Sequence, residues 1–335
     1  MFKIRLISII TCFVVLCLIY GSAICHAKDV KVGFIYSGDT INDNSFNEMV
    51  ATGLRKLQKE QHVRVLPRRG GFSMEETVGA IESLLAEGVR VILVNGVPYG
   101  NRLGVFALDH ADTTFIINDA KIEGYPNIIS IDYAHGMGSC LVGALCAWQT
   151  KTGKIGFLGA NEMPVVKEFL TGFRKGVEYS GQDVEILVRY IRPGVSLKGF
   201  EDPKQAYTMA MNMYADGVDI IYSVAGLSGN GAIQAAHRTG NLVVGVDSDQ
   251  DYMAKGSVLT SMIKRMDIAV YKEVLAIVNG TSAPGCKTYH LANDGVGLSD
   301  MTYTRHLLKP GVLKKLGELK AKLISGEVKP DASVK

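Results

Sequence analysis

A ring, a carboxamide and a carboxylate follow the first apolar run of the chain. The run Lys31–Ser37 has the composition of a buried strand and ends in small residues. Asp43, Phe46 and Asn47 come shortly after it, where a helical pattern begins. In open α/β sheets, small polar ligands bind at this place, outside the carboxyl ends of the strands. The alternative is an ordinary strand–helix turn with Phe46 packed under the sheet.

Acidic side chains end two further apolar runs. Thr113–Asp119 and Leu242–Asp247 each finish in an aspartate. Polar strand ends aligned at one sheet edge indicate a ligand site, because burying carboxylates without partners is costly. A catalytic interpretation would gather four charged residues in one cleft, as a nucleoside-cleaving hydrolase could use: Asp43, Asp119, Asp247 and Lys264. Such hydrolases usually place several acids near the N-terminus to hold a metal, and this chain does not.

Two loops invite comparison with phosphate and calcium sites, and neither matches. The loop Gly226–Gly231 reads G-x-x-G-x-G and lacks the GK[ST] ending of a P-loop, so we expect close backbone approach to a small ligand. The run Asp247–Asp251 resembles the start of a calcium loop, but Tyr252 and Val258 stand where Gly and Glu are required. We therefore predict no metal and no cofactor, and neither H-E-x-x-H nor G-x-S-x-G occurs.

Strand-like runs alternate with helical patterns along most of the chain, which predicts parallel sheets covered on both faces. The predicted strands are Lys31–Ser37, Val63–Leu66, Val89–Val94, Thr113–Ile117, Ile128–Asp132, Lys154–Leu158, Val184–Tyr190, Asp219–Val224, Leu242–Val246 and Val258–Met262. The alternation is interrupted at the small-residue helix Gly136–Gln149, at Leu259–Lys264 and near Gly295–Ser299. Two α/β lobes, joined by segments that cross between them more than once, would produce these interruptions.

Helix starts are marked by capping signals. Ser45 and Glu48 have the S-x-x-E spacing of a capping box, which predicts a helix beginning at Phe46. Ser73 and Glu76 form a second such pattern.

The N-terminal segment, residues 1–27, has the pattern of a secretory signal peptide. An apolar run, Leu6–Ala23, is followed by the small-x-small pattern of Cys25-His-Ala27, which predicts cleavage before Lys28. A retained membrane anchor and lipidation at Cys25 are the alternatives. We expect an exported or periplasmic protein.

The composition, 335 residues with 47% hydrophobic and 21% charged, fits one large or two medium globular domains. Without Lys3 and Arg5 of the predicted signal peptide, 34 basic residues face 33 acidic ones. A nearly neutral chain offers no general basic field for nucleic acid.

A series of motifs occurs in a fixed order between about residues 30 and 330. They are Asn42–Asn47, Phe115–Asp119, Gly153–Ala160, Pro164–Val166, Gly172-Phe173, Lys198–Pro203, Val224–Gly231, Gly245–Gln250 and Thr260–Lys264. In that order they resemble D-D-x-S-F-N, a strand ending in Asp, G-K-I-G-F-x-G-G, P-V-V, G-F, G-S-F-x-D-P, A-A-G-x-x-G-x-G, G-V-D-x-D-Q and T-S-M-x-K of the basic-membrane-protein (BMP) family. Its best understood members are exported purine nucleoside receptors that serve ABC transporters.

The resemblance implies a two-lobed, type I periplasmic-binding-protein fold with the ligand cleft between two α/β lobes. We expect an N-terminal lobe of residues 28–133 plus 264–297 and a C-terminal lobe of 134–263 plus 298–335. It implies a monomer that captures a purine nucleoside or purine base, catalyses nothing and delivers its ligand to an ABC transporter permease. The open alternatives are a sugar, a free base or a signalling molecule as ligand, an exported nucleoside hydrolase, and a membrane-anchored sensor.

The resemblance also implies a set of ligand-binding residues: Ser37, Asp43, Phe46, Asn47, Asp119, Phe200, Gly226, Asp247 and Lys264. Phe46 and Phe200, one from each lobe, would sandwich the base, since stacking tolerates different bases. Asn47 and Asp119 would bond the base edge. Ser37 and Asp43 would be neighbours of the ligand.

The sugar would meet the other three residues of this set. Asp247 would accept from ribose hydroxyls, Lys264 would donate to them, and the backbone at Gly226 would approach them. The alternatives are that Phe200 only covers the helix capped by Asp202, and that Lys264 forms an inter-lobe salt bridge.

The chain departs from the family pattern at two places. Asn42 replaces the first Asp of D-D, and His135–Gly143 replaces a stretch that carries an acid and an aromatic residue in the family. We expect the second change to widen or reshape the pocket, so that a free base or another purine derivative remains open.

Overall fold

The computed structural model describes residues 30–96 and 101–330, with the side chain of residue 101 excepted. The strands are β1 Val30–Ser37, β2 Val63–Gly71, β3 Val91–Asn95, β4 Thr114–Asn118, β5 Ile128–Tyr133, β6 Lys154–Gly159, β7 Glu185–Tyr190, β8 Ile220–Val224, β9 Leu242–Asp247, β10 Val258–Lys264, β11 Gly285–Tyr289 and β12 Val296–Leu298. The helices are α1 Phe46–Glu60, α2 Met74–Ala86, α3 Asn101–Leu108, α4 His135–Gln149, α5 Pro164–Ser180, α6 Pro203–Ala215, α7 Gly229–Thr239, α8 Met266–Val278 and α9 Val312–Ser325.

The strands form two six-stranded sheets, which define a first and a second lobe. The first sheet has the order β11-β5-β4-β3-β1-β2 and is parallel throughout. The second has the order β12-β10-β9-β8-β6-β7, and only β12 runs antiparallel to its neighbour. The predicted two-lobed α/β fold is confirmed.

The chain crosses between the two sheets three times. It leaves the first sheet after Tyr133, returns after Lys264, and crosses again between Tyr289 and Val296. The predicted lobe division after residue 297 falls inside β12, whose three residues all pair with β10 of the second sheet.

All ten predicted strands are present, and two strands were not predicted. β11 is a half-exposed edge strand that pairs only with β5, and its sequence Gly-Cys-Lys-Thr-Tyr has no apolar run. β12 has only three residues. Both strands depend on long-range pairing more than on local pattern, which is why the sequence alone does not reveal them.

Of the two predicted capping boxes, one is present in the structure. Helix α1 begins at Phe46 as predicted, and the capping box of Ser73 and Glu76 is confirmed. The predicted capping box of Ser45 and Glu48 is wrong, because the Ser45 side chain makes no cap hydrogen bond. The carboxylate of Asp43 caps α1 instead.

The Asp43 carboxylate accepts three backbone N–H groups at the start of α1. They belong to Ser45, Asn47 and Glu48, at 2.9, 2.8 and 3.1 Å. A negative charge there also interacts favourably with the positive end of the helix dipole. The Ser45 hydroxyl is thereby released to reach across to the second lobe.

Helices α4 and α5 pack closely because small residues lie between them. A Cβ atom at Gly172 would lie 2.3 Å from the carbonyl oxygen of Gly136, and one at Gly176 would lie 2.0 Å from that of Cys140. This close approach fixes the N-terminal ends of the two helices side by side. His135, the first residue of α4, is thereby placed next to the first turns of α5.

The predicted signal peptide, residues 1–27, lies outside the described residues. Across residues 30–96 and 101–330, no helix combines the length and the apolar character that a membrane crossing requires.

Candidate functional site

A cavity of about 430 Å³ lies between the two lobes, at the carboxyl ends of the strands of both sheets. Every residue predicted to bind a ligand lines it. These residues are Ser37, Asp43, Phe46, Asn47, Asp119, Phe200, Gly226, Asp247 and Lys264. The structure brings the whole set together, and their ligand-binding roles stay predictions.

Each lobe contributes a partly exposed phenylalanine that is backed by a glycine. Phe46 opens α1 in the first lobe, and a Cβ atom at Gly96 would lie 2.8 Å from its ring. Phe200 lies in the second lobe, and a Cβ atom at Gly226 would lie 3.3 Å from its ring. Both glycines have positive φ, so two backbone segments that favour glycine support the two rings.

A buried lysine joins acids from both lobes. The Lys264 ammonium, at the end of β10, lies 3.0 Å from the Asp119 carboxylate of the first lobe and 3.2 Å from that of Asp247. The inter-lobe salt bridge considered as an alternative for Lys264 is therefore present. Burial alone would lower the pKa of Lys264, but the two carboxylates outweigh burial and raise it. Lys264 also lies 4.8 Å from the centre of the Phe46 ring.

The two acids occupy matching places with the same unusual backbone. Asp119 follows β4 and has φ 62°, while Asp247 ends β9 and has φ 70°. Left-handed backbone is uncommon for residues other than glycine and is concentrated at functional sites, where the surrounding structure maintains it. Both strand ends therefore turn a carboxylate toward the same lysine.

His135 is a site residue that sequence reasoning missed. Its Nε2 lies 2.9 Å from Asp119 and its Nδ1 lies 3.2 Å from Glu168, while its ring centre is 4.7 Å from that of Phe169. Only a doubly protonated ring can donate to both carboxylates. Burial alone would lower the pKa of His135, but Asp119 outweighs burial and raises it. Burial likewise favours a higher pKa for Asp119, yet Lys264 and His135 hold it well below the usual range.

The amide of Asn47 is already bonded within the first lobe. Its nitrogen donates to the backbone carbonyls of Ser37 and Thr40 at 2.8 and 3.0 Å, and its oxygen accepts from Asn95 at 2.9 Å. Asn95 in turn accepts from Asn118, which accepts from the hydroxyl of Tyr133. This chain of polar groups fixes the sheet edge beneath the cavity. Both N–H groups of Asn47 are thus engaged, so it can contact a base only through the second lone pair of its oxygen or by exchanging one of these bonds.

Asp43 lies beside the cavity with a perturbed acidity. Burial raises its pKa to about 6, the N–H groups of Asn47, Ser45 and Glu48 oppose that rise, and the nearby charge of Asp247 adds to it. Asp43 therefore takes up a proton in mildly acidic solution.

The loop before α1 contacts the second lobe and closes one side of the cavity. The backbone oxygen of Asn44 accepts from the Ser248 hydroxyl and from the Gln250 amide, at 2.5 and 2.9 Å. The Ser45 hydroxyl donates to the Asp247 carboxylate at 2.7 Å. These bonds require the lobes to be close together, so the structure is a closed form.

No sequence signal distinguished several other residues of the site. Ser45 carried a capping pattern, which concealed its contact with Asp247. Glu168 and Phe169 follow the Pro164–Val166 motif by two to three residues and line the cavity with His135.

Across the described ranges, no group of three or more His, Cys, Asp or Glu side chains could hold a metal ion.

Comparison with protein families and known proteins gives a consistent result. Residues 29–329 match the family described as ABC transporter substrate-binding protein PnrA-like. Basic membrane protein A of Borreliella afzelii is 30% identical over 305 residues, covering 89% of this chain and 90% of that protein. The CD4+ T-cell-stimulating antigen of Listeria monocytogenes is 29% identical, covering 90% and 88%.

Solved structures agree with the fold. The ABC transporter solute-binding protein of Aeropyrum pernix K1 is similar with a TM-score of 0.82 and 25% identity, covering 90% of this chain and 92% of that one. A dimeric Lac repressor has a TM-score of 0.60 at 16% identity, covering 82% and 99%, and shares the fold alone.

Proposed function

The chain belongs to the Bmp family of PnrA-like ABC transporter substrate-binding proteins, and on that premise we propose that its cleft captures a purine nucleoside for uptake. The observation that carries this proposal is the pair Phe46 and Phe200, one from each lobe, lining one closed cavity. Planar rings favour a flat aromatic ligand, because stacking contributes about 1–3 kcal/mol per base. A sugar alone would offer these two rings no aromatic plane on which to stack.

The size of the cavity supports a ligand of nucleoside dimensions. A volume of about 430 Å³ falls in the range of pockets that enclose small molecules, roughly 300–1,000 Å³. The lining combines apolar surface with a few charged groups, which is the usual composition of a pocket that fixes a ligand's orientation.

The charged groups of the cavity favour ligands that donate hydrogen bonds. Asp119 and Asp247 each keep lone pairs beyond those that the protein's own donors engage, so a base N–H and ribose hydroxyls have acceptors available. An anionic group on the ligand would find no donor at either carboxylate, because an ionised carboxylate only accepts hydrogen bonds.

The same ion pairs argue against Asp119 as the general acid of a hydrolase. Asp119 is bonded to both Lys264 and His135, and these two cations keep it ionised although it is buried. A carboxylate held in this way is a poor general acid, since its pKa lies far from neutral pH. The mechanism that we propose is binding followed by recognition of the closed shape by a membrane permease, with the protein acting as a monomer.

Mass spectrometry of the small molecules that co-purify with the protein tests the proposal. We expect a purine nucleoside in about equimolar amount. In a second arm, purified protein is incubated with inosine, and free hypoxanthine is measured by chromatography. Release of the base at catalytic turnover would refute the receptor function, and a co-purifying sugar would replace the proposed ligand class.

A further inference from the structure

A carboxylate of the second lobe reaches the backbone of the first lobe beside the cavity. Glu201 ends the 3₁₀ helix Leu197–Glu201, directly after Phe200, and lines the cavity. Its Oε1 atom accepts the backbone N–H of Asp39, which belongs to the β1–α1 loop, at 2.5 Å. The residue occupies the variable position of the G-S-F-x-D-P element, so the motif itself assigns it no role.

Gly38 of the first lobe has no side chain, and this leaves space for the Glu201 carboxylate. A Cβ atom at Gly38 would lie 1.8 Å from Glu201 Oε1, and Gly38 has φ +77°. Any larger residue there would therefore collide with Glu201 and would also be strained. The loop that receives the carboxylate fits it only with glycine at this position.

Electrostatics around the contact are balanced by an arginine of the first lobe. The Asp39 carboxylate would repel Glu201, but Arg69 pairs with Asp39 at 2.7 Å and neutralises its charge. Arg69 also reaches Glu76 at 3.5 Å, so it is held in place at the sheet edge. Because Arg69 neutralises the Asp39 carboxylate, the Glu201 carboxylate can accept the Asp39 N–H without meeting an unpaired negative charge.

The 3₁₀ helix is fixed to its own lobe from behind. The Ser228 hydroxyl donates to the Gly199 carbonyl at 2.8 Å and accepts the Asp202 N–H at 2.7 Å. A Cβ atom at Gly199 would lie 2.0 Å from the Ala160 oxygen, so the helix lies directly on that segment. Phe200 and Glu201 therefore move as one unit with the second lobe.

We propose that Glu201 is a positioning residue that latches the closed lobes and seats Phe200 over the bound ligand. This inference rests on the proposed function, because it assigns Glu201 to retention of the captured nucleoside. Glu201 need not touch the ligand itself: its bond to Asp39 must break before the lobes separate. The latch thus lowers the rate of ligand escape and leaves the rate of entry into the open form unchanged.

The test is stopped-flow binding of inosine to the wild type and to Glu201→Ala, Glu201→Gln and Glu185→Ala. A charge-assisted hydrogen bond of this kind predicts that Glu201→Ala raises the dissociation rate constant about tenfold while the association rate constant stays within about twofold. Glu201→Gln keeps an oxygen acceptor and should restore most of the residence time. Glu185 is an exposed glutamate of the same lobe that pairs with Lys154, and its replacement should change neither rate.

A double-mutant cycle adds a readout that a general loss of stability would not give. Gly38→Ala should speed dissociation on its own, and in the Glu201→Ala background its effect should shrink, because the collision partner is gone. Equal dissociation rates for wild type and Glu201→Ala, with inosine bound by both, would overturn the latch. Absence of inosine binding by the wild type would instead count against the proposed function.

Small-angle scattering decides the latch without reference to the ligand's identity. Wild type and Glu201→Ala are each measured as purified, without removal of any small molecule that they retain. We expect a larger radius of gyration for the variant, and identical scattering curves would overturn the proposal.

Discussion

The ammonium of Lys264, at the end of a strand in the second lobe, lies 3.0 Å from the carboxylate of Asp119, which follows a strand in the first. Both side chains are almost fully buried at 3% and 9% exposure. This ion pair therefore joins the lobes beside the ligand cavity, close to two of the segments where the chain crosses between sheets, and the pair of His135 with Asp119 lies next to it.

Replacing Lys264 should destabilise the protein strongly. Lys264→Met leaves Asp119 and Asp247 buried without their shared cation, and removing one partner of a buried pair costs about 3–5 kcal/mol. The free energy of unfolding, from urea denaturation, measures this loss. Lys154→Met is the matched control, since its partner Glu185 is exposed at the surface and the pair should contribute under about 1 kcal/mol. Similar losses for the two variants would contradict the account.

Stability should depend on pH through His135. Its folded-state pKa is raised above the ordinary value, because Asp119 and Glu168 face the ring and outweigh burial and the repulsion from Lys264. A raised pKa contributes stability that is fully present below the unfolded-state pKa, about 6.5, and is lost as pH rises through the folded-state pKa.

Urea denaturation at a series of pH values from 6 upward measures this contribution. The stability of the wild type relative to His135→Gln should be greatest at pH 6 and decline as pH rises. A difference between the two proteins that stays constant over the series would show that His135 carries no extra proton in the folded state.

The two rings should contribute comparably to binding. Phe46→Ala and Phe200→Ala should each weaken nucleoside binding by about 1–3 kcal/mol, the range for one stacking partner. Calorimetric titration gives the affinities, and circular dichroism checks that the variants fold. Tyr303→Ala is a suitable control, because Tyr303 packs near Lys255 and does not line the cavity. Unchanged affinity in a folded Phe46→Ala variant would show that this ring only packs against the sheet.

The sequence predicts the lobes well because their strands are buried and apolar. Parallel strands covered by helices leave continuous hydrophobic runs, so ten of them are visible without any structure. The half-exposed β11 and the three-residue β12 leave no such run. The lobe connections around residues 285–298 are therefore only partly visible in the sequence.

The sequence names residues that the structure gathers around one cavity, but it does not reveal which of them bond one another. Family motifs identify Asp119 and Lys264, but only the fold shows that they bond each other. Ser45 illustrates the difficulty, since a local capping pattern was overridden by a contact with Asp247 on the opposite lobe. Local spacing carries no information about such distant partners.

The departure from the family pattern at His135 has a structural counterpart. The sequence lacks an acid and an aromatic residue there, and the expectation was a widened or reshaped pocket. In the structure, Glu168 and Phe169 of α5 lie against His135, so an acid and an aromatic ring reach the same place from another helix. This arrangement depends on the close packing of α4 and α5, which the glycines permit.

Isothermal titration of the ligand-stripped protein with inosine tests the central claim most directly, with chromatography of the mixture afterwards. The account predicts saturable binding of one nucleoside per chain, with inosine recovered intact. A flat titration with inosine, guanosine and adenosine alike would contradict the claim. Conversion of the nucleoside to the free base would contradict it as well.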